Sequence, residues 1–259
     1  MNFLPPNGAL NGTALDHLLR LNLAIVFWLF VAAQILLVLA LLRRASARSS
    51  QASATAAKPS RTLLVIDYTA LLAITALYIW MLVSSHRLWA ASREQNPTAQ
   101  PVEVEVTGVQ FQWYFRYPGA DGVYGATRPN LVSAPTGNPL GLDPADPASR
   151  DDIVSAILIL PAGSPVDLRL RAQDVIHGFF VPGMRLKQDA IPGMTGMLQF
   201  TPTTPGDYPI LCSQVCGLGH YRMQARLRVV SPAQFETWLA SRETAILKTN
   251  AAAALGGSQ

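Results

Sequence analysis

The chain has 259 residues, half of them hydrophobic and only 14% charged, where an ordinary soluble domain has about a quarter charged. That deficit excludes a single soluble globular unit, and the length leaves room for one large or two small domains. The net charge of +4 is unevenly held: residues 1–100 carry eight Lys and Arg against three acids, and residues 101–259 carry twelve against thirteen, so the second half has no basic footprint for nucleic acid.

Residues 1–20 read as a short polar lead, with Pro5, Pro6 and several Gly and Asn, loose up to Ala14. Leu21 to Leu42 then carries no charge, and Asn22 and Gln34 are its only strongly polar groups. About 20 such residues cross a bilayer core of about 30 Å. A secretory signal has an apolar region of only about 7–15 residues, so the run is read as a transmembrane helix. Residues 43–61 form a linker with Arg43, Arg44, Arg48, Lys58 and Arg61, no acid and no aromatic. Such basic linkers stay in the cytoplasm. A second span runs from about Leu63 to Ser85 and ends at His86-Arg87-Leu88-Trp89, where Trp89 suits the interfacial aromatic belt. Residues 21–95 are therefore expected to be a multi-pass hairpin in lipid, with both ends on the periplasmic side of a bacterial inner membrane. Asp67 is an ionisable group within the span, and such groups are functional candidates; a span beginning at Tyr68 would put it at the interface instead.

From Pro101 the pattern changes. Val102-Glu-Val-Glu-Val106 alternates as a half-buried strand does, and the strand continues through Phe111 and Trp113 to Tyr117. Residues 118–150, rich in Gly, Pro, Asn and Asp, read as a long surface loop. Strands follow at Ile153–Leu160, Pro165–Arg171, Gly196–Thr201, Gly206–Leu211 and Met223–Val230. Short strands with Gly and Pro turns predict an all-β sandwich or barrel. Ser231 as N-cap and Pro232 at the first position start a C-terminal helix, which an Ala-rich tail follows.

The chemistry is concentrated between Leu211 and Met223, which hold the only two cysteines, Cys212 and Cys216, followed by His220 and Met223. Thiolate, imidazole and thioether form a soft donor set suited to copper; zinc accepts the first two and has little use for the third. The spacing alone leaves zinc, a disulfide and copper all open. Gly217 and Gly219 allow the loop to fold back on a metal without side-chain clashes. A second imidazole has to come from His17, His86 or His177. The first two flank apolar spans, so His177 in Asp174-Val-Ile-His177-Gly-Phe-Phe is the candidate, although a lone histidine of this kind is more often a core residue. No Cys-x-x-Cys-His motif for covalent haem is present, and no nucleophile–base pair suggests bond-making chemistry.

At Asp174-Val-Ile-His177, Lys187-Gln-Asp-Ala-Ile-Pro-Gly193 and Cys212-Ser-Gln-Val-Cys216-Gly-Leu-Gly-His220-Tyr-Arg-Met223 the chain resembles subunit II of cytochrome c oxidase, and the likeness extends over nearly its whole length. The resemblance implies a two-helix transmembrane hairpin (21–95), a cupredoxin-like Greek-key barrel with a copper A centre (101–230), and a C-terminal helix and tail (231–259). It also implies two copper ions bridged by Cys212 and Cys216, capped by His177 and His220, with Met223 as a weak axial ligand and Gln214 ligating through its backbone carbonyl. By the same resemblance, cytochrome c or a similar carrier donates electrons, which pass to haem in subunit I, with subunit III as a further partner. The family's electron-accepting tryptophan is exposed; Phe111 takes its place in the pattern here and Trp113 lies two residues on. Asp174 is the best-placed acid for docking a basic donor. Two departures stand out. Gln214 replaces a glutamate that helps bind magnesium, so that site is expected to be weakened or absent. The glutamate that usually opens a proton path near the start of the second span is missing, with Asp67 a displaced substitute. The rival readings are the copper A subunit of a nitric oxide reductase and a membrane-anchored copper- or zinc-binding protein.

Overall fold

The computed structural model describes residues 4–47, 61–93 and 100–256. The chain divides into two compact units, residues 14–91 and a unit that joins residues up to 13 with those from 92 onward.

The first unit is helical. Helices α1 (Gly12–Ala47) and α2 (Arg61–Arg93) contain the stretches Gly12–Arg43 and Leu64–Ala91, each long and apolar enough to cross a membrane. Large apolar side chains such as Trp28, Phe30, Leu36, Leu72 and Tyr78 are exposed along them, as in helices whose solvent is lipid. Both helices outrun the expected spans, α1 beginning at Gly12 rather than near Leu21. Most of the basic linker, residues 48–60, lies outside the described residues. Asp67 stands in the second turn of α2, inside the apolar stretch.

The second unit corrects the expectation of a loose lead. Residues 5–10 are laid along the β-domain: the Gly8 amide donates to Gly183 O (2.9 Å), Leu10 N to Thr201 O (3.0 Å) and Thr203 N to Gly8 O (2.7 Å). Arg185 donates to the Pro5 carbonyl, and Ala9 is buried with the core residues. Gly8 has to be a glycine, because a Cβ there would meet Tyr208 Oη at 2.5 Å and Met184 Cε at 2.8 Å.

The domain is built from two five-stranded sheets. One has the order β3-β2-β1-β5-β8, from Ile153–Ser155, Gln112–Tyr117, Val102–Val109, Val166–Ala172 and Gly196–Phe200. The other has β4-β10-β9-β6-β7, from Ile157–Pro161, Gln224–Val230, Gly206–Cys212, His177–Val181 and Leu186–Ala190. Each contains one parallel pair, β1 with β5 and β4 with β10. Alternation places Val104, Val106, Leu168 and Leu170 inward against Phe115, Leu158, Phe179, Ile210 and Leu227. This is the expected all-β cupredoxin-like domain, with two corrections. The aromatic stretch is not one strand but a hairpin, β1 and β2, turning at Gln110 and Phe111. The apolar run 153–160 is likewise divided at Ala156 between the two sheets.

Loop 118–150 is ordered by its own acids. Asp152 accepts from the Gly125 amide and from buried Arg116, Asp146 accepts from Ala126 N and Ala148 N, and Asp143 from Arg128 and Ala145 N. Helix α3 (Pro232–Gly256) starts with a reciprocal cap, Gln234 N to Ser231 Oγ and Ser231 N to Gln234 Oε1, and it extends through the Ala-rich tail.

Candidate metal centre

Three neighbouring strands bring the candidate ligands to one end of the domain. Cys212 closes β9, and its amide donates to Met223 O, just before β10 begins. His177 opens β6, whose Phe179 is paired with Cys212. The intervening segment 213–223 folds back through Gly217 (φ +137°) and a short 3-10 turn at His220–Arg222. Gly219 lies beneath the Phe111 ring, where a Cβ would approach a ring carbon to 2.3 Å.

The side chains converge. The two cysteine sulfurs are 3.9 Å apart, nearly twice a disulfide bond of about 2.05 Å. His220 Nδ1 and Met223 Sδ each lie 3.7 Å from Cys216 Sγ. One nitrogen of His177 and both sulfurs fall within 4.8 Å of one another. The Gln214 carbonyl is 3.2 Å from Cys212 Sγ, while the residue itself is exposed.

One imidazole is poised for a ligand. His177 is fully buried; its Nε2 is 2.8 Å from Asp174 Oδ1, and its Nδ1 is buried with no hydrogen-bond partner. A carboxylate on one ring nitrogen leaves the other as the donor to a metal. That orphaned nitrogen, beside two thiols and a thioether, fits a soft metal. Burial, then the charge of Cys212, pushes the Cys216 thiol up, and a thiol ligand releases its proton when it binds a metal.

Asp174 stays exposed at the edge of the centre while its carboxylate holds the His177 ring. Burial works against its charge, but hydrogen bonds from Gln110 N, His177 and Val175 N outweigh that and hold the carboxyl below its usual range. Gln110, which nothing in the sequence marked, ties the centre together: its amide donates to Asp174 Oδ2 (2.7 Å) and its side chain to Cys216 O. Trp113, one of the two rings named for electron entry, is fully buried, with its ring 5.8 Å from that of His177 and 5.3 Å from that of Phe179, both edge-on. Phe111 is the half-exposed ring over the metal loop. Around it the loop presents Val215, Leu218 and Tyr221, from 79% to 98% exposed.

Residues 102–230 match the family described as cytochrome c oxidase subunit II, periplasmic domain. The chain belongs to the cytochrome c oxidase subunit II family. The chain is 40% identical over 148 residues to an alternative cytochrome c oxidase subunit 2 of Bradyrhizobium diazoefficiens, covering 56% of this chain and 53% of the relative. It is 34% identical over 154 residues to cytochrome c oxidase subunit 2 of a Synechocystis species, covering 60% and 36%. The chain thus spans about half the length of the first relative and about a third of the second. Among solved structures it is similar to the periplasmic domain of subunit II of cytochrome oxidase of Bradyrhizobium japonicum, at 24% identity and a TM-score of 0.43, over 59% of this chain and 99% of the other.

Proposed function

We propose that this chain is the electron-accepting subunit of a haem–copper terminal oxidase. It takes single electrons from cytochrome c or a comparable carrier and passes them towards haem in subunit I, where oxygen is reduced and protons are pumped. The observation that carries this reading is the buried, unpartnered Nδ1 of His177 beside two unjoined cysteine sulfurs. Cys212, Cys216, His177, His220, Met223 and the Gln214 carbonyl would hold a binuclear copper A centre. When bound, the copper pair supplies one-electron transfer with little change in its bonds between the two states.

The chain's own residues prepare that site. Asp174 fixes the His177 ring, Trp113 packs edge-on against it and is itself backed by Phe179, and Gln110 couples Asp174 to the Cys216 backbone. Phe111 replaces Trp113 as the surface aromatic at which the donor's electron arrives. The exposed Val215, Leu218 and Tyr221 belong to the face that meets partner subunits or the carrier, since apolar side chains left in water near a functional site mark an interface. The amide of Gln214 is a poorer magnesium ligand than a carboxylate, so a magnesium ion is held weakly there or not at all.

Helices α1 and α2 cross the bacterial inner membrane, with the copper domain on the periplasmic side. The docked lead supports this arrangement: the chain leaves the domain into α1 and returns from α2, as two crossings require, and the basic residues between them face the cytoplasm. Asp67, near that cytoplasmic end, is the residue here that a proton path into subunit I would use. The test is oxygen consumption by the purified complex with reduced cytochrome c. Activity abolished by Cys216→Ser supports the reading; nitric oxide turnover in its place, or a complex without haem, contradicts it.

A further inference from the structure

Away from the metal end, the outward face of the first sheet is a ladder of charge. Glu103 pairs with Arg169 (2.7 Å), Glu105 with Arg171 (3.3 Å) and Arg116 (3.5 Å), and Arg116 also reaches Asp152. Loop 118–150 roofs part of this face. Beneath the roof is a cavity of about 490 Å³, whose walls include Glu105, Arg116, Tyr124, Arg169, Arg171 and Thr195. A second, of about 160 Å³, shares Glu105, Thr127 and Arg171 with it and reaches Ala172 and Gln173.

Ion pairing does not use up the hydrogen-bonding groups on these walls. Three guanidinium groups and one carboxylate line the larger cavity; Glu105 has both oxygens taken by Arg116 and Arg171, and Glu103 and Asp152, beside the walls, pair with Arg169 and Arg116. Two buried donors are left over: Nε of Arg116, a residue 2% exposed, and the hydroxyl of Tyr124; neither has a partner. The Tyr124 ring is held between the guanidinium carbons of Arg116 (5.2 Å) and Arg169 (5.6 Å). Burial, then Glu105 and Glu103, pushes its phenol far above the usual value, so it keeps its proton and can only donate or accept as a neutral hydroxyl. Buried polar groups in folded proteins are satisfied almost without exception, and what these two lack is an acceptor. The one carboxylate on the cavity wall, Glu105, has no oxygen left for a cation, the unpartnered Oδ1 of Asp152 lies outside the lining, and an apolar ligand finds polar walls.

We propose that the cleft under loop 118–150 binds a small oxyanion of the carboxylate or phosphate class, its oxygens accepting from the Tyr124 hydroxyl and from the guanidinium groups of Arg116, Arg169 and Arg171. The site does not depend on a metal at the other end of the domain.

The test is calorimetric titration of the full chain in detergent with inorganic phosphate and, separately, acetate, at constant ionic strength set by chloride. The variant is Tyr124→Phe, which removes a hydroxyl bonded to nothing in the protein and so leaves the fold intact; thermal unfolding without anion verifies this. One saturable site for either probe, weakened about tenfold in Tyr124→Phe by the loss of one charge-assisted hydrogen bond, supports the proposal; which probe binds identifies the class. No saturable binding of either probe, meaning ordered water only, overturns it, and so does equal binding by the wild type and Tyr124→Phe.

Discussion

Asp174 acts on the metal end through another residue. Its carboxylate holds Nε2 of His177 and takes two backbone amides, which leaves Nδ1 aimed and free. Removing an outer carboxylate that orients a histidine ligand lowers metal affinity about 10–100-fold, so Asp174→Ala is expected to lose that much copper affinity in a competition titration while the domain stays folded. Gly219 is constrained more tightly. Its missing Cβ is the space the Phe111 ring occupies, and Gly219→Ala has to displace either the ring or the loop that carries Cys216 and His220. The expected result is chain that folds but binds copper substoichiometrically, measured by elemental analysis after gel filtration. The candidate ligand set was legible in the sequence because five of its six members lie within twelve residues and local spacing survives any fold. Asp174 and Gln110 as its supports were not, because their roles depend on a contact made across 64 residues of sequence.

At the scale of elements, the hairpin turn at Gln110 and Phe111 explains why the aromatic stretch was read as one strand and the facing of Trp113 stayed undetermined. A continuous strand from Val102 leaves open which aromatic faces outward, and a turn without a Gly, Pro or Asn marker hides the reversal. Because side chains alternate with period two, one residue of register sends every ring to the other face. The lead was misread for a related reason: Pro, Gly and Asn suggest a loose segment, yet Gly8 and Ala9 are small because they pass close to Gly183 and Tyr208. Gly8→Val is expected to destabilise the domain by about 1–3 kcal/mol through overpacking. That lowers the melting temperature of the full chain by about 2–4 °C per kcal/mol and makes the lead sensitive to protease. The two sheets are also stitched by one hydroxyl: Tyr117 Oη donates to Ile159 O (2.9 Å) and accepts from Ile159 N (2.7 Å). Tyr117→Phe leaves both partly buried Ile159 groups without this partner, at a cost of about 1 kcal/mol, which denaturant titration would measure.

For the whole molecule, the acids of the outer domain serve structure before recognition. Asp143 and Asp152 are buried, and with Asp146 they hold loop 118–150 in place through backbone amides and arginines. A hydrogen bond from Ala145 N outweighs the opposing desolvation and, with Arg128, holds the Asp143 carboxyl below its ordinary value of 3.8. A carboxyl lowered in this way adds stability above its unfolded value and loses it as pH falls through the folded one. Loop 118–150 is therefore expected to open on acidification below about pH 3.8, seen as faster hydrogen exchange there at pH 3 than at pH 6 while the β-sheet core stays protected.

The most direct test of the central claim is the metal itself. Full-length chain purified with its membrane helices, loaded with copper and studied by elemental analysis and electron paramagnetic resonance, is expected to hold two copper ions per chain and to give the seven-line hyperfine pattern of one unpaired electron shared equally by two copper nuclei. A four-line pattern from an isolated ion, a single bound zinc, or a Cys212–Cys216 disulfide in the native complex would contradict it.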